Sequence, residues 1–133
     1  MPYLIDSDWA INALRGRDPA AAMLRRIASQ RPFVSLVTVA ELYDAAFNSP
    51  HSAADLANSR QFLGGPRTNG LSDPIAERFA ETRAFLRRRG MLIPDLDLLI
   101  AATALHHDLT LLTFNVAHFR RVPELRVYRP RSR

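Results

Sequence analysis

The chain has 133 residues, which is enough for one domain with a substantial core and too few for two. Hydrophobic residues make up 47% of it without forming a long uncharged run, so a folded protein is expected rather than a disordered or membrane-spanning one. The formal net charge is +5, and every basic residue is Arg because the sequence contains no Lys. Cysteine is absent, which excludes disulfides, thiolate catalysis and thiolate metal sites.

The charge balance and the first residues bear on partners and location. An excess of Arg favours anionic partners such as nucleic acid or an acidic protein surface. The segment from Met1 to Asp6 lacks a basic region followed by a long apolar stretch, so no signal peptide is expected. We therefore expect a cytoplasmic protein without membrane association.

Short apolar runs alternate with helical patterns along the chain. The strands are predicted at residues 3–5, 33–36 and 109–113, with a possible edge strand at 127–128. The helices are predicted at residues 8–14, 18–29, from 38 onward, and at 53–63, 73–89 and 96–105. A turn is predicted at Thr68-Asn69-Gly70. This alternation predicts a single α/β domain spanning residues 1–133, with a mostly parallel central sheet flanked by helices on both faces.

Three acidic residues stand where a strand gives way to a helix or where a helix opens. Asp6 follows the first strand directly, Glu41 lies one turn into the helix after the second strand, and Asp97 opens the apolar helix. Helices of a parallel sheet begin at the carboxyl ends of its strands, so these acids can converge on one crevice. A carboxylate there needs a hydrogen bond, an ion pair or a cation. The pattern therefore indicates a divalent-metal site.

The first two acids each have a structural alternative. Asp6 could cap the following helix, although Asp8 is the better candidate for the cap because it immediately precedes the helical run. Glu41 could belong to a capping box, since Thr38-Val39-Ala40-Glu41 matches that pattern. Ser7 could contact a metal-bound water or simply support the turn.

Near the third acid, Asp95 and Asp97 flank Leu96 and cannot both point the same way from a helix. We expect Asp97 to be the ligand and Asp95 to be a helix cap or a supporting partner. Asn115 occupies another strand-to-loop position, where it could bind a metal-coordinated water or serve as a turn residue. His118 is a candidate for substrate contact.

Four segments together resemble a known family. The chain contains Leu4-Ile5-Asp6-Ser7, Thr38-Val39-Ala40-Glu41-Leu42, the run from Asp97 to Leu105, and Leu112-Thr113-Phe114-Asn115. They occur in the order found in PIN-domain ribonucleases, and the chain is most similar to VapC toxins of bacterial type II toxin–antitoxin pairs. The resemblance covers nearly the whole chain.

The resemblance implies a PIN-like fold and a metal-dependent endoribonuclease that hydrolyses RNA phosphodiesters through metal-activated water. It also implies Mg²⁺ or Mn²⁺ as cofactor, homodimerisation and inhibition by a cognate antitoxin. The family's catalytic positions correspond to Asp6, Glu41 and Asp97 as metal ligands, with Asn115 at a fourth position that is acidic in many PIN domains. Clustered carboxylates repel one another, so a hard cation would compensate their charge.

Two other function classes fit parts of the sequence. Asp6-Ser7-Asp8 after a strand is similar to the entry motif of aspartate-nucleophile phosphatases, which generally use a Lys that this chain lacks. A non-catalytic module that binds nucleic acid or protein would keep the fold with a weakened site, as the neutral Asn115 suggests. Metal-dependent cleavage of RNA distinguishes the three functions.

Overall fold

The structure is a computed structural model that describes residues 2–130. Its central sheet has four parallel strands in the order β3-β2-β1-β4. The strands are β1 (Tyr3–Ile5), β2 (Phe33–Ser35), β3 (Arg67–Asn69) and β4 (Thr110–Leu112). Within residues 2–130 the α-helices are α1 (Ser7–Leu14), α2 (Ala20–Ile27), α3 (Leu36–Phe47), α4 (Ser52–Leu63), α5 (Asp73–Arg88), α6 (Asp95–His107) and α7 (Val116–Phe119).

Alternate side chains of the short strands pack on opposite faces of the sheet. Leu4 and Leu111 are fully buried in a cluster that includes residues of α5 and α6. Ile5, Val34 and Leu112 are buried in a second cluster that includes residues of α1, α2 and α3. Because β-strand side chains alternate with a period of two, neighbours in sequence enter different cores. The predicted α/β fold with helices on both faces is confirmed.

The predicted turn at Thr68-Asn69-Gly70 is wrong for Thr68 and Asn69, which lie in the edge strand β3 paired with β2. Sequence patterns missed this strand because it is polar and lacks apolar alternation. Its pairing is supported by Arg67, which donates to the carbonyls of Arg31 (2.9 Å) and Gln30 (3.3 Å). The Arg67 guanidinium carbon also lies 3.9 Å from the centroid of the Phe33 ring.

Several smaller boundaries also differ from the prediction. Helix α2 begins at Ala20 and ends at Ile27, and residues 28–30 form a 3-10 turn. Helix α7 was not predicted, since four residues are too few for a periodic pattern. The expected edge strand at residues 127–128 is a single parallel bridge between Leu111 and Val127. No helix within residues 2–130 combines the length and apolar character needed to span a membrane.

Candidate active site

Asp6 is the first residue after β1, and its backbone (φ −75°, ψ 160°) is still extended as the N-cap of α1. One carboxylate oxygen accepts from the backbone N–H of Ser7 (2.8 Å), and the other accepts from the Thr113 hydroxyl (2.7 Å). Only 4% of the residue is exposed. Asp6 is therefore a helix cap as well as a buried acid at the carboxyl end of β1.

Burial is the main reason that the pKa of Asp6 rises from 3.8 to about 7. The negative charge of Asp8 raises the pKa further, and that of Asp97 adds a smaller effect. The hydrogen bonds from Thr113 and Ser7 act in the opposite direction because they favour the charged form. The site thus holds a carboxyl group whose ionisation is costly at neutral pH without a compensating charge.

The expectation that Asp8 caps α1 is wrong. Asp8 lies within the first turn of the helix, and its Oδ2 accepts from the backbone N–H of Phe114 at 3.0 Å. The Thr113 hydroxyl oxygen is 3.3 Å from the same atom, but its one proton serves the shorter bond to Asp6. The other oxygen, Oδ1, is buried without a hydrogen-bond partner among the described residues. Burial is also the largest cause of the raised pKa of Asp8.

The capping-box alternative for Glu41 is also wrong. Helix α3 begins earlier than predicted, and Ser35 is its cap, accepting from the N–H of Val37 at 3.1 Å. Thr38 lies inside the helix, fully buried, and its hydroxyl donates to the carbonyl of Ile5 at 3.5 Å. The Glu41 carboxylate is consequently not bound to a helix cap.

Glu41 instead faces the other acids. Its Oε1 is buried and has no hydrogen-bond partner within residues 2–130. Burial raises the pKa of Glu41, the polar side chain of Ser7 lowers it, and the charges of Asp97 and Asp8 raise it again. Asp8 and Glu41 therefore each carry a buried carboxylate oxygen that is available to a further ligand.

Asp97 lies in the first turn of α6 and contacts two polar side chains from the region after β4. His118 Nδ1 is 2.9 Å from Asp97 Oδ2, and Asn115 Nδ2 is 3.5 Å from the same oxygen. The two nitrogens are themselves 2.7 Å apart. A ring nitrogen either donates or accepts, so a protonated Nδ1 binds Asp97, whereas an unprotonated one accepts from Asn115. The first arrangement, with the proton on Nδ1, fixes the orientation of Asp97.

Asp95 stands apart from this group. It lies in the first turn of α6 but makes no capping hydrogen bond, so the cap expected at this position is wrong. Its carboxylate pairs with Arg83 Nε at 2.9 Å on the surface, where 63% of the Asp95 side chain is exposed. Asp95 is thus an exposed ion-pair partner of α5.

The four acids Asp6, Asp8, Glu41 and Asp97 form what we call the carboxylate group. Burial is the largest cause of the raised pKa values of Asp6, Asp8 and Glu41, and the charges of neighbouring acids raise these pKa values further. Among residues 2–130, no three His, Asp or Glu side chains are arranged to hold one metal ion together. The donor set is nevertheless entirely oxygen, and it includes the two buried, unpartnered oxygens of Asp8 and Glu41. Such a set fits a hard divalent cation better than a soft one.

Residues 3–125 match the sequence model of the PIN domain. The chain belongs to the PIN-domain family. Its relatives include ribonuclease VapC2 of Haemophilus influenzae, which is 29% identical over 126 residues, covering 95% of this chain and 96% of the relative. Ribonuclease VapC19 of Mycobacterium tuberculosis is 30% identical over 122 residues, covering 92% and 95%. Both relatives are thus matched over almost their full length.

A solved structure of this family has the same fold. VapBC2 from Rickettsia felis, bound to a DNA fragment from its promoter, contains a chain that superposes with a TM-score of 0.89. The two chains are 25% identical, and the match covers 96% of this chain and 98% of the other. The resemblance to VapC-type PIN domains inferred from the four sequence segments is confirmed.

The PIN-domain fold brings the predicted site residue Asp97 close enough to Asp6 and to Glu41 for its charge to raise the pKa of each. Asn115 joins them through Asp97. Sequence reasoning did not include Asp8 or Thr113 among the site residues. For Asp8 the available signal was its position two residues after Asp6, the cap of α1. The metal-binding roles of these residues remain predictions.

Proposed function

We propose that this protein is a metal-dependent endoribonuclease that acts as the toxin of a type II toxin–antitoxin pair. The observation that carries the proposal is the carboxylate group at the carboxyl end of the sheet, with its two buried, unpartnered oxygens. Membership of the PIN-domain family and the VapC ribonucleases among the relatives support it. We further propose that residues 1–133 act as one nuclease domain and that its RNA substrates are cytoplasmic.

Mg²⁺ or Mn²⁺ is the proposed cofactor, and Asp6, Glu41 and Asp97 are its proposed ligands, which would have to move closer together than they are in this structure. Asn115 is neutral at the position where many PIN domains carry a fourth acid, and Asp8 supplies a fourth carboxylate from α1. When bound, such a cation lowers the pKa of a coordinated water and neutralises charge on the scissile phosphate. It would also offset the cost of burying the charged forms of Asp6, Asp8 and Glu41 and the repulsion from neighbouring acids, which together raise their pKa values.

The remaining site residues orient the acids. Thr113 and the Ser7 amide each hold one oxygen of Asp6, so the carboxylate cannot rotate freely. His118 and Asn115 both contact a single oxygen of Asp97, Oδ2. Residues that fix metal ligands commonly contribute 10–100-fold to metal affinity or activity. We propose that Thr113, Asn115 and His118 act through the acids that they contact.

RNA is the proposed substrate because the chain combines a net charge of +5 with an all-Arg set of cations. Arg binds phosphate groups through two parallel N–H donors. We expect affinity for RNA to fall steeply as the salt concentration rises, since bound phosphates release counterions. Binding that does not change with salt would remove this support.

Cleavage of RNA by the purified protein tests the function. We expect fragments with Mg²⁺ or Mn²⁺ and none with excess chelator. Asp6→Asn, Glu41→Gln and Asp97→Asn should each abolish cleavage while the far-UV circular dichroism is unchanged. Asp44→Asn is the matched control because Asp44 lies one turn after Glu41 on α3, is exposed, and should retain wild-type activity. Undiminished cleavage in chelator, or by Glu41→Gln and Asp97→Asn, would reject the metal-site assignment.

The aspartate-nucleophile phosphatase is disfavoured by composition. Such phosphatases generally use a Lys to hold the phosphate, and the chain contains no Lys. A purely structural module would have no use for the two unpartnered acidic oxygens, since burying them is costly. Hydrolysis of a phosphomonoester without RNA cleavage would favour the phosphatase.

A cognate antitoxin is the proposed protein partner. A groove between α1, α3 and α4 is lined by the apolar residues Ile11, Leu14, Leu42 and Ala46 and by polar residues that include Arg15 and Asp55. This mixed lining suits an amphipathic segment of an antitoxin, which could place an Arg among the carboxylates. The exposed Ala45→Arg substitution should block the groove and prevent co-purification with a co-encoded partner, while RNA cleavage persists. Co-purification of Ala45→Arg at wild-type yield would place the partner elsewhere.

We also propose a homodimer. Met91, Leu92 and Leu96 are 39% to 49% exposed in and just before the first turn of α6, and such apolar side chains commonly mark an interface. Light scattering should give twice the mass of the chain, and a Leu96→Glu variant should give the monomer mass. A wild-type protein that scatters as a monomer would contradict this part of the proposal.

A further inference from the structure

Phe114 is a large apolar residue at the edge of the carboxylate group, and its side chain is not buried. The three residues before it, Leu111, Leu112 and Thr113, are at most 4% exposed, whereas Phe114 is 45% exposed. Burying an aromatic side chain is favourable, so the exposed part of this ring is available to a further flat ligand beside the polar site.

The ring is held in a defined position. It stacks on Trp9, with the ring centroids 5.1 Å apart and an angle of 23° between the planes, and Trp9 is only 1% exposed. The backbone N–H of Phe114 donates to Asp8 Oδ2 at 3.0 Å. One face of the Phe114 ring is therefore covered by Trp9, and the 45% exposure of the residue leaves the opposite face as the one that a ligand can reach, which we call the open face. A ring fixed in this way loses little entropy when a second flat group stacks on it.

Its neighbours in sequence connect the ring to the acids. Thr113 donates to Asp6, and Asn115 contacts Asp97. A phosphodiester bound at the carboxylates would therefore have the base of an adjoining nucleotide within reach of the open face. The carboxylates repel phosphates, whereas a base is the uncharged part of RNA, so stacking can supply affinity that the charges of this site oppose.

We infer that Phe114 binds the RNA substrate by stacking on a base next to the scissile phosphodiester. The inference rests on the proposed ribonuclease function and adds a residue that positions the strand. Stacking on an aromatic ring tolerates any base, so Phe114 contributes affinity and register more than sequence preference.

Fluorescence anisotropy with labelled oligouridylate and oligoadenylate of ~10 nucleotides, a length within the site sizes of single-strand-binding proteins, measures the contribution. Phe114→Ala should raise Kd about tenfold, equivalent to about 1.4 kcal/mol. Phe114→Trp and Phe114→Tyr should retain affinity, and Phe114→Leu should lose it although Leu still covers Trp9. The exposed Phe47→Ala is the matched control, since Phe47 is 69% exposed at the end of α3 and should leave Kd unchanged.

An oligonucleotide with one abasic ribose, moved along the strand, identifies the stacked base. One abasic position should weaken binding to the wild-type protein about tenfold and leave Phe114→Ala binding unchanged. The salt dependence should be the same for both proteins because no phosphate contact is lost.

The outcomes separate this inference from the proposed function. If the wild-type protein cleaves RNA and Phe114→Ala or Phe114→Leu binds it equally well, Phe114 has no stacking role and the function stands. If the wild-type protein neither binds nor cleaves RNA, both fail. If Phe114→Ala leaves RNA binding unchanged but changes the mass in light scattering or releases a co-purified antitoxin, the open ring face is a protein interface instead.

Discussion

Helices α1 and α6 each begin with two aspartates spaced two residues apart, and the two pairs lie in different surroundings. In α1, Asp6 is an extended cap residue outside the helix, and both Asp6 and Asp8 reach Thr113. In α6, Asp95 and Asp97 are both helical. Two residues of an α-helix are rotated by about 200°, so Asp97 faces His118 while Asp95 pairs with Arg83 on the surface. Two aspartates with the same spacing in sequence thus share one site or lie in two different places, depending on where the helix begins.

The largest expected difference separates the two aspartates of α6 in catalysis. Asp97→Asn should lower metal-dependent RNA cleavage at least about 1000-fold, beyond the 10–100-fold typical of residues that only support metal ligands. Asp95→Asn should stay within about twofold of wild type because its carboxylate pairs with Arg83 away from the site. Initial rates with Mg²⁺ provide the comparison. If both variants lose the same fraction of RNA cleavage activity, Asp97 and Asp95 do not differ in their roles.

The buried acid of α1 should make stability depend on pH in the metal-free protein. Unfolded Asp6 loses its proton near 3.8, whereas folded Asp6 keeps it up to about 7, so stability falls as pH rises through that window. The full effect corresponds to about 4 kcal/mol above pH 7. Urea unfolding in chelator should show this fall, and Asp6→Asn should flatten it. If the stability of the wild-type protein rises between pH 4 and 7, the pKa of the buried Asp6 carboxyl group is not raised to about 7.

The hydroxyl oxygen of Thr113 lies close to both aspartates at the start of α1, Asp6 and Asp8. We therefore expect this hydroxyl to contribute to the stability of the folded protein. Thr113→Val preserves the shape of the side chain but leaves one buried oxygen of Asp6 without its donor. We expect a loss of about 1–3 kcal/mol at pH 8 and a pKa of Asp6 that rises further. Thr113→Ser keeps the donor and should cost less. Equal stability of Thr113→Val and wild type would show that this hydrogen bond is dispensable.

The sequence predicted the features that depend on apolar patterning. The strands containing Leu4, Val34 and Leu111 are short apolar runs, and their alternation with helices was sufficient for the fold class. Strand β3 escaped prediction because its pairing depends on the contacts of Arg67 with residues 30, 31 and 33, which are distant in sequence. Local patterns cannot report such contacts.

The sequence predicted the acidic residues that follow strands. It did not predict the roles that depend on the residue at which a helix begins. Asp6, Glu41 and Asp97 were expected to converge, and the charge of Asp97 acts on both Asp6 and Glu41, while their role as metal ligands stays a prediction. The roles of Asp8 and Thr38 were wrong because α1 begins at Ser7 and α3 at Leu36, each earlier than the sequence indicated. A shift of one or two residues in a helix start exchanges cap and helix positions, which are the boundaries that sequence patterns define least well.

The smallest expected effect concerns the stability contribution of Asp95. A helix cap changed to Ala costs about 0.5–2 kcal/mol, but Asp95 makes no capping hydrogen bond. Asp95→Ala should therefore cost only the ~0.2–1 kcal/mol of a surface ion pair. The loss should shrink at high salt and vanish in an Arg83→Ala background, because the guanidinium is the partner that the carboxylate loses. A loss near 2 kcal/mol that persists in the Arg83→Ala background would mean that Asp95 caps α6 after all, and the two helix starts would then be alike.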